Sequence, residues 1–273
     1  MSPAHSPRHW VRSVFISDIH LGSRSCNATA LLEFLREVHT DNLYLIGDVI
    51  DLWSLRKSFY WPQEHNNVLR TILGKAKHGT RVVYVPGNHD EDFREFAGSV
   101  FGNLIIERDC IHVTAQGERL LVLHGDEFDS VVQCSPWLAA LGSRAYDFSI
   151  EMNRHFNRVR RFFGYEYWSL ANYLKHTVKN AVNYISSFEQ AVAREVRRRG
   201  ADGVVCGHIH RAEITRIEGV LYCNDGDWVE SCTALVEDRN GRLSIWDRST
   251  PQRALAWSAG EGASIGASTR EVA

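Results

Sequence analysis

Short apolar runs that each end in a polar tip of carboxylate, amide or imidazole side chains constrain this chain more than any other feature. Val11–Ile16 runs into Ser17-Asp18-Ile19-His20. Leu43–Ile46 runs into Gly47-Asp48, and Arg81–Val85 into Pro86-Gly87-Asn88-His89-Asp90. Arg119–Leu123 ends in His124-Gly125-Asp126, and Gly203–Cys206 in Gly207-His208-Ile209-His210. Runs of this length, apolar on both faces, read as buried strands. Helical patterns lie between them at Ala28–Val38 and Asn67–Lys77. The alternation predicts a layered α/β fold whose polar residues gather at the C-terminal ends of strands. Leu104–Ile106, Ile111–Thr114 and Arg119–Leu123 are expected in a second sheet. Val220–Cys223, Ser231–Val236 and Leu243–Trp246 would close the fold, with a hairpin signal at Asn240-Gly241.

The tips supply carboxylates (Asp18, Asp48), imidazoles (His20, His124, His208, His210) and one amide oxygen (Asn88), with no thiolate among them. Oxygen and imidazole donors suit Mn²⁺, Fe²⁺ or Zn²⁺. Seven ligands are too many for one tetrahedral ion and fit two ions sharing a carboxylate. Singly, each residue has an ordinary explanation, such as a loop cap, a turn residue or a satisfied histidine. Five such tips in one chain do not. Gly47, Gly87 and Gly207 stand where the backbone must leave a strand sharply.

Together, Asp18-x-His20, Gly47-Asp48, Gly87-Asn88-His89-Asp90, His124 and Gly207-His208-x-His210 resemble the calcineurin-like metallophosphoesterase superfamily, over roughly residues 12–247. The resemblance implies a four-layer α/β/β/α sandwich around a dinuclear site. It implies Asp18, His20 and His210 on one divalent ion, Asn88, His124 and His208 on the other, and Asp48 bridging. Manganese is the expected metal, with iron or zinc as alternatives. Such a pair acidifies a bridging water, and the resulting hydroxide attacks phosphorus in line. The metals' charge stabilises the phosphate oxygens as negative charge builds on them. His89 is then expected at the scissile phosphate, as donor or general acid, with Asp90 orienting it.

Within the superfamily the chain is most similar to the UDP-2,3-diacylglucosamine diphosphatase family of lipid A biosynthesis. The matching residues are Ser17-Asp18-Ile19-His20-Leu21, Gly47-Asp48-Val49-Ile50-Asp51-Leu52-Trp53 and Leu123-His124-Gly125-Asp126, with a helical insertion at the same place. That likeness implies cleavage of a nucleotide-linked glycolipid to UMP and a lipid monophosphate. The chain departs from the narrower family at His89, where arginine is usual. Hydrolysis of a different, soluble phosphoester is therefore the alternative. A non-catalytic scaffold on the same fold is the reading from another class, and such proteins are expected to lose ligands that this chain keeps.

Domain organisation is expected to be simple. Residues 1–10 read as a loose leader without an apolar signal core, 11–249 as the catalytic domain, and 250–273, rich in Ala, Ser and Gly, as a disordered tail. The helical insertion falls at about 134–199, with one amphipathic stripe along Arg144–Phe163 and another from Tyr167 to Val192. Residues 144–199 carry 11 Lys/Arg against 5 Asp/Glu, a net of +6, on a chain whose net charge is −2. The insertion reads either as helices packed on the sandwich or as a basic lid that meets anionic lipid headgroups. An acidic body speaks against nucleic acid as partner. No run approaches the ~20 apolar residues of a spanning helix. The expected location is cytoplasmic, at most peripheral on the inner membrane. The six cysteines contain no C-x-x-C pair and read as reduced.

Overall fold

A computed structural model describes residues 9–129 and 170–248, with side chains described from Tyr184 onward in its last helix. Two sheets face one another. The first has seven strands in the order β12-β11-β1-β2-β3-β5-β4, and the second five in the order β6-β7-β8-β10-β9. The strands of the first are β1 (His9–Ile16), β2 (Val38–Ile46), β3 (Arg81–Val85), β4 (Val100–Phe101), β5 (Leu104–Ile106), β11 (Thr233–Glu237) and β12 (Leu243–Asp247). The second contains β6 (Cys110–Val113), β7 (Arg119–Val122), β8 (Gly203–Cys206), β9 (Glu213–Ile217) and β10 (Val220–Asn224).

Alternation along the strands builds three apolar layers. Phe15, Tyr44, Ile46, Val83 and Val85 of the first sheet meet Leu120, Val122, Val205 and Cys223 of the second. The other faces of β1, β2 and β3 carry Val14, Ile16, Leu43, Leu45, Val82 and Tyr84. These pack under α1 (Ala28–Glu37) and α3 (Gln63–Lys77), which contribute Leu31, Phe34, Leu35, Val68 and Ile72. Leu121, Leu123, Val204 and Cys206 face outward from the second sheet. They meet Phe188, Val192 and Val196 of a helix spanning Leu170–Arg198, here α4. The result is the expected four-layer α/β/β/α sandwich. Burying a side chain such as Phe188 contributes on the order of 2–3 kcal/mol.

Leu104–Ile106 is the one strand assigned to the wrong sheet. It pairs parallel with β3, Val82 opposite Leu104 and Tyr84 opposite Ile106. A 3₁₀ turn (Glu91–Phe96) and β4 return the chain to that edge, and Leu104 and Ile106 join the core under α1 and α3. The Asn240-Gly241 turn does join β11 to β12, with Glu237 opposite Leu243.

Helix α4 lies within the stretch expected as an insertion, and its C-terminal half forms the outer layer of the second sheet. Its last turn is basic, which suits the negative end of the helix dipole. Arg197 pairs with Glu218, Arg198 with Glu195, and Arg199 with Asp109 and Glu195. The basic charge here is thus matched by acids of its own turn and of the body. Residues 1–8 of the expected leader, residues 134–169 with their Arg144–Phe163 stripe, and the tail lie outside the described residues, while His9 and Trp10, expected in the leader, open β1 opposite Val38 and His39 of β2. Among those described, no helix is long and apolar enough to cross a membrane, and five of the cysteines are free thiols.

Candidate metal centre

The loops leaving β1, β2, β3, β7 and β8 converge at one end of the sandwich. The loop after β1 is laced to the loop after β2: Asp18 N donates to Gly47 O, His20 N to Asp48 O and Leu21 N to Val49 O. Asp18, His20, Asp48, His208 and His210 all take positive φ, between 50° and 68°. Among the described residues only two others without glycine's freedom do so, Glu218 and Cys232. Each left-handed residue costs roughly 1–2 kcal/mol. Strain concentrated at five of the expected ligands marks a backbone shaped for a site rather than for stability.

Two glycines permit the convergence by having no side chain. A Cβ at Gly87 would stand 2.4 Å from Asp48 Oδ1 and 2.7 Å from His124 Nε2. One at Gly207 would stand 2.2 Å from Ser17 Oγ and 2.6 Å from Asp18 Oδ2. Neither glycine has a positive φ, so here the requirement is close approach rather than a special turn.

Each buried carboxylate commits one oxygen to the protein and leaves one for the centre. Asp18 Oδ2 accepts from His208 N at 2.9 Å and lies 2.6 Å from Ser17 Oγ. Its Oδ1 is buried, pairs with His210 Nε2 at 3.0 Å, and lies 4.0 Å from His20 Nε2. Asp48 Oδ1 accepts from His89 N at 2.8 Å. Asp48 Oδ2 faces the Nε2 atoms of His124, His20 and His89 at 3.6, 3.8 and 3.9 Å. His124 donates from Nδ1 to Ile46 O at 2.8 Å, leaving Nε2 buried and unpartnered. Asn88 Oδ1 is likewise buried without a partner.

These orphaned atoms fit a divalent cation. Two ligands each ~2.1 Å from one ion at a tetrahedral angle lie ~3.4 Å apart. The ligand–ligand distances of 3.0–4.0 Å bracket that value, and all but the 3.0 Å between His210 and Asp18 exceed hydrogen-bond length. Asp18, His20 and His210 form one group able to hold an ion, and Asp18, Asp48 and His124 another. The field is right as well. Burial works against charge on His124, yet Asp48 and then Asp18 push its pKa well above the ordinary value. His210 is pushed up to about 9, burial being outweighed by Asp18. Burial also opposes ionisation of Asp18, but His210, His124 and His20 hold its carboxyl well below the usual range.

His89 reaches the centre, but its carboxylate partner is not Asp90. His89 Nδ1 lies 3.0 Å from Asp51 Oδ1, and Asp51 also stands 3.7 Å from His20 Nδ1. The His89 ring sits between the Trp53 indole, centroids 4.2 Å apart, and the edge of His20, 4.6 Å away. Burial opposes charge on this ring too, but the Asp51 hydrogen bond and the Asp48 charge raise its pKa. Asp90 turns inward instead. It accepts from the backbone N–H of Asp48, Val49, Ile50 and Gly87 and from the Tyr84 hydroxyl. It ties the β2 loop to the β3 loop, and all its acceptor capacity goes to that work.

Three other side chains had no assigned role. Asp51 is one, and it also caps α2 (Leu52–Lys57) by accepting from Ser54 N. Asp129 accepts from His208 Nε2 at 2.8 Å. Asp225 lies 2.6 Å from Ser17 Oγ, and burial pushes its carboxyl well above the carboxylate range. The Ser17 hydroxyl is within donating distance of both Asp18 Oδ2 and Asp225 Oδ1 and so links the two buried carboxylates. Asp51 is the third residue after Asp48 within Gly47–Trp53. Asp129 and Asp225 are joined to the site only by tertiary contacts, across 79 and 208 residues.

Comparison with known proteins gives the same answer. A family model described as calcineurin-like phosphoesterase matches residues 11–212. A protein of Neisseria meningitidis serogroup B, named UDP-2,3-diacylglucosamine hydrolase, is 28% identical over 85% of this chain and 96% of its own length. Proteins of the same name from Neisseria gonorrhoeae and Vibrio cholerae are 27% and 22% identical, over 85% and 87% of this chain and 97% and 98% of their own. Strand-end carboxylates and imidazoles around a cation-favouring centre, and a family match over most of the sandwich, lead to one statement: the chain belongs to the calcineurin-like phosphoesterase family and is a metal-dependent phosphoester hydrolase.

Proposed function

We propose that the protein hydrolyses the pyrophosphate of a nucleotide-linked glycolipid, UDP-2,3-diacylglucosamine, to UMP and the lipid monophosphate, at a site holding two divalent ions. The observation that carries the chemistry is the set of buried strand-end atoms without a hydrogen bond, Asp18 Oδ1, Asn88 Oδ1 and His124 Nε2, the last 3.6 Å from Asp48 Oδ2. The substrate reading rests on relatives named for that lipid, aligned over 85% of this chain.

In this reading Asp18, His20, Asp48 and His210 hold one ion, and Asp48, Asn88, His124 and His208 the other, with manganese the expected metal. When bound there, such ions would supply an acidified water as nucleophile and positive charge against the phosphate oxygens. The remaining work belongs to the chain. Asp51 fixes Nδ1 of His89, so Nε2 is the nitrogen free to donate to a non-bridging or leaving oxygen. The Trp53 and His20 rings hold the imidazole in place. Asp90 keeps the β2 and β3 loops in register, so Asp48, Asn88 and His89 stay aligned. A membrane surface would present the lipid, met through the basic helical insertion expected at about residues 134–199.

Histidine rather than arginine at position 89 favours the second reading, a different phosphoester. The test is release of UMP from UDP-2,3-diacylglucosamine in Mn²⁺, beside hydrolysis of a generic aryl phosphodiester. Release of UMP supports the lipid substrate. Cleavage of the aryl diester with the lipid left intact rejects it and keeps the phosphoesterase.

A further inference from the structure

Helix α4 covers the second sheet, yet two of its side chains reach the loops of the metal centre. Tyr184 donates its hydroxyl proton to Asp129 Oδ1 at 2.6 Å, and the same oxygen lies 2.8 Å from His208 Nε2. One turn on, Phe188 is fully buried, its ring 6.0 Å from that of His208 and so close over Gly125 that an added Cβ would meet Cζ at 2.8 Å. The helix therefore bears on the loop that carries His124 and on the ring of His208.

We propose that Asp129, steadied by Tyr184, is a positioning residue that sets the ring of His208 and so governs binding of the second ion. The proposal rests on the reading of His208 as a ligand. A carboxylate accepting from Nε2–H fixes the tautomer in which Nδ1 keeps its lone pair, which makes Nδ1 the ligating nitrogen. His124 shows the converse arrangement: Nδ1 donates to a backbone carbonyl and Nε2 faces the centre. A carbonyl in a strand cannot move, whereas a side-chain carboxylate must itself be held, and the Tyr184 hydroxyl does this. Without Asp129 the His208 ring loses both its preferred tautomer and its fixed orientation. Loss of such an outer partner weakens metal binding by about 10–100-fold.

The experiment is titration of the metal-free full chain with Mn²⁺, followed calorimetrically and by the Mn²⁺ electron paramagnetic resonance signal, alongside thermal melting without metal. The wild type should bind two ions. Asp129→Ala should weaken one site about 10–100-fold and leave the other unchanged. Asp129→Asn, whose amide oxygen still accepts from Nε2–H, should recover most of that loss, and Tyr184→Phe should weaken the same site several-fold. Tyr184→Phe also decides the matter should Asp129→Ala fold poorly, because it leaves both loops intact. The proposal is overturned if both sites keep wild-type affinity in Asp129→Ala and Tyr184→Phe, or if Asp129→Asn is as impaired as Asp129→Ala. A wild type that binds a single ion overturns the two-ion reading itself, and the proposal with it.

Discussion

Gly87→Ala should disable the centre while leaving most of the fold standing. The new Cβ would lie 2.4 Å from Asp48 Oδ1, 2.7 Å from His124 Cδ2 and 2.7 Å from His124 Nε2. Ordinary contact begins near 3.4 Å, so the Asp48 carboxylate must retreat by about 1 Å. It cannot do so freely, because the same oxygen accepts from His89 N at 2.8 Å. His124 is no freer, its Nδ1 being held 2.8 Å from Ile46 O. Overpacking of this kind costs about 1–3 kcal/mol, and each kcal/mol lowers Tm by about 2–4 °C in chains near this size. A displacement of ~1 Å at reacting groups lowers turnover by about 10²-fold. The assay is initial rates on an aryl phosphodiester in Mn²⁺ beside a thermal melt. Gly74→Ala is the control: it lies inside α3 with nothing within 4 Å of the added Cβ. It should gain about 0.5–1 kcal/mol and keep full activity. Turnover of Gly87→Ala within about twofold of wild type would refute the steric argument.

Two further outcomes follow from side chains outside the expected ligand set. Asp51→Asn preserves a capping side chain for α2 but removes the carboxylate beside His89 and His20, so turnover should fall about 10–100-fold with little change in Tm; an unchanged rate contradicts the role given to Asp51. Glu237 is fully buried and pairs with Arg12, at 2.8 Å to each carboxylate oxygen, and with His112 at 2.8 Å. Burial opposes its charge, but His112 and the Ala115 N–H hold its pKa at about 2 against an ordinary 4.5. A depressed carboxyl contributes stability that is fully present above the unfolded value and lost as pH falls through the folded one. About 3 kcal/mol should therefore disappear between pH ~4.5 and ~2. Urea midpoints across that window should fall in the wild type and stay flatter in Glu237→Gln, which should itself be less stable by about 3 kcal/mol at neutral pH. Parallel pH profiles for the two proteins would show that Glu237 does not carry the effect.

What could be read from the sequence follows from how local each signal is. Strand tips were legible because an apolar run and its polar end are contiguous, as in Leu43–Ile46 followed by Gly47-Asp48. β9 leaves no local signature, because Glu213–Ile217 is only half-buried at a sheet edge and shows no apolar run. β4 has two exposed residues, and α2 six residues with none buried. The sheet to which Leu104–Ile106 belongs depended on pairing with β3, which no local pattern encodes. The partner of His89 followed the same rule. Asp90 is its sequence neighbour, but the backbone directs that carboxylate onto the N–H groups after β2 and brings Asp51 round from another loop. Ligand types are thus local information. The groups that orient them, Asp51, Asp129 and Ser17 with Asp225, arise from folding.

The central claim is that these strand ends hold two ions bridged by Asp48. Anomalous diffraction from a crystal of the full chain loaded with Mn²⁺ tests it directly. Two peaks ~3.5–4 Å apart are expected, both at coordinating distance from Asp48, one beside Asp18, His20 and His210 and the other beside Asn88, His124 and His208. A single peak, or a pair not sharing Asp48, would contradict the account.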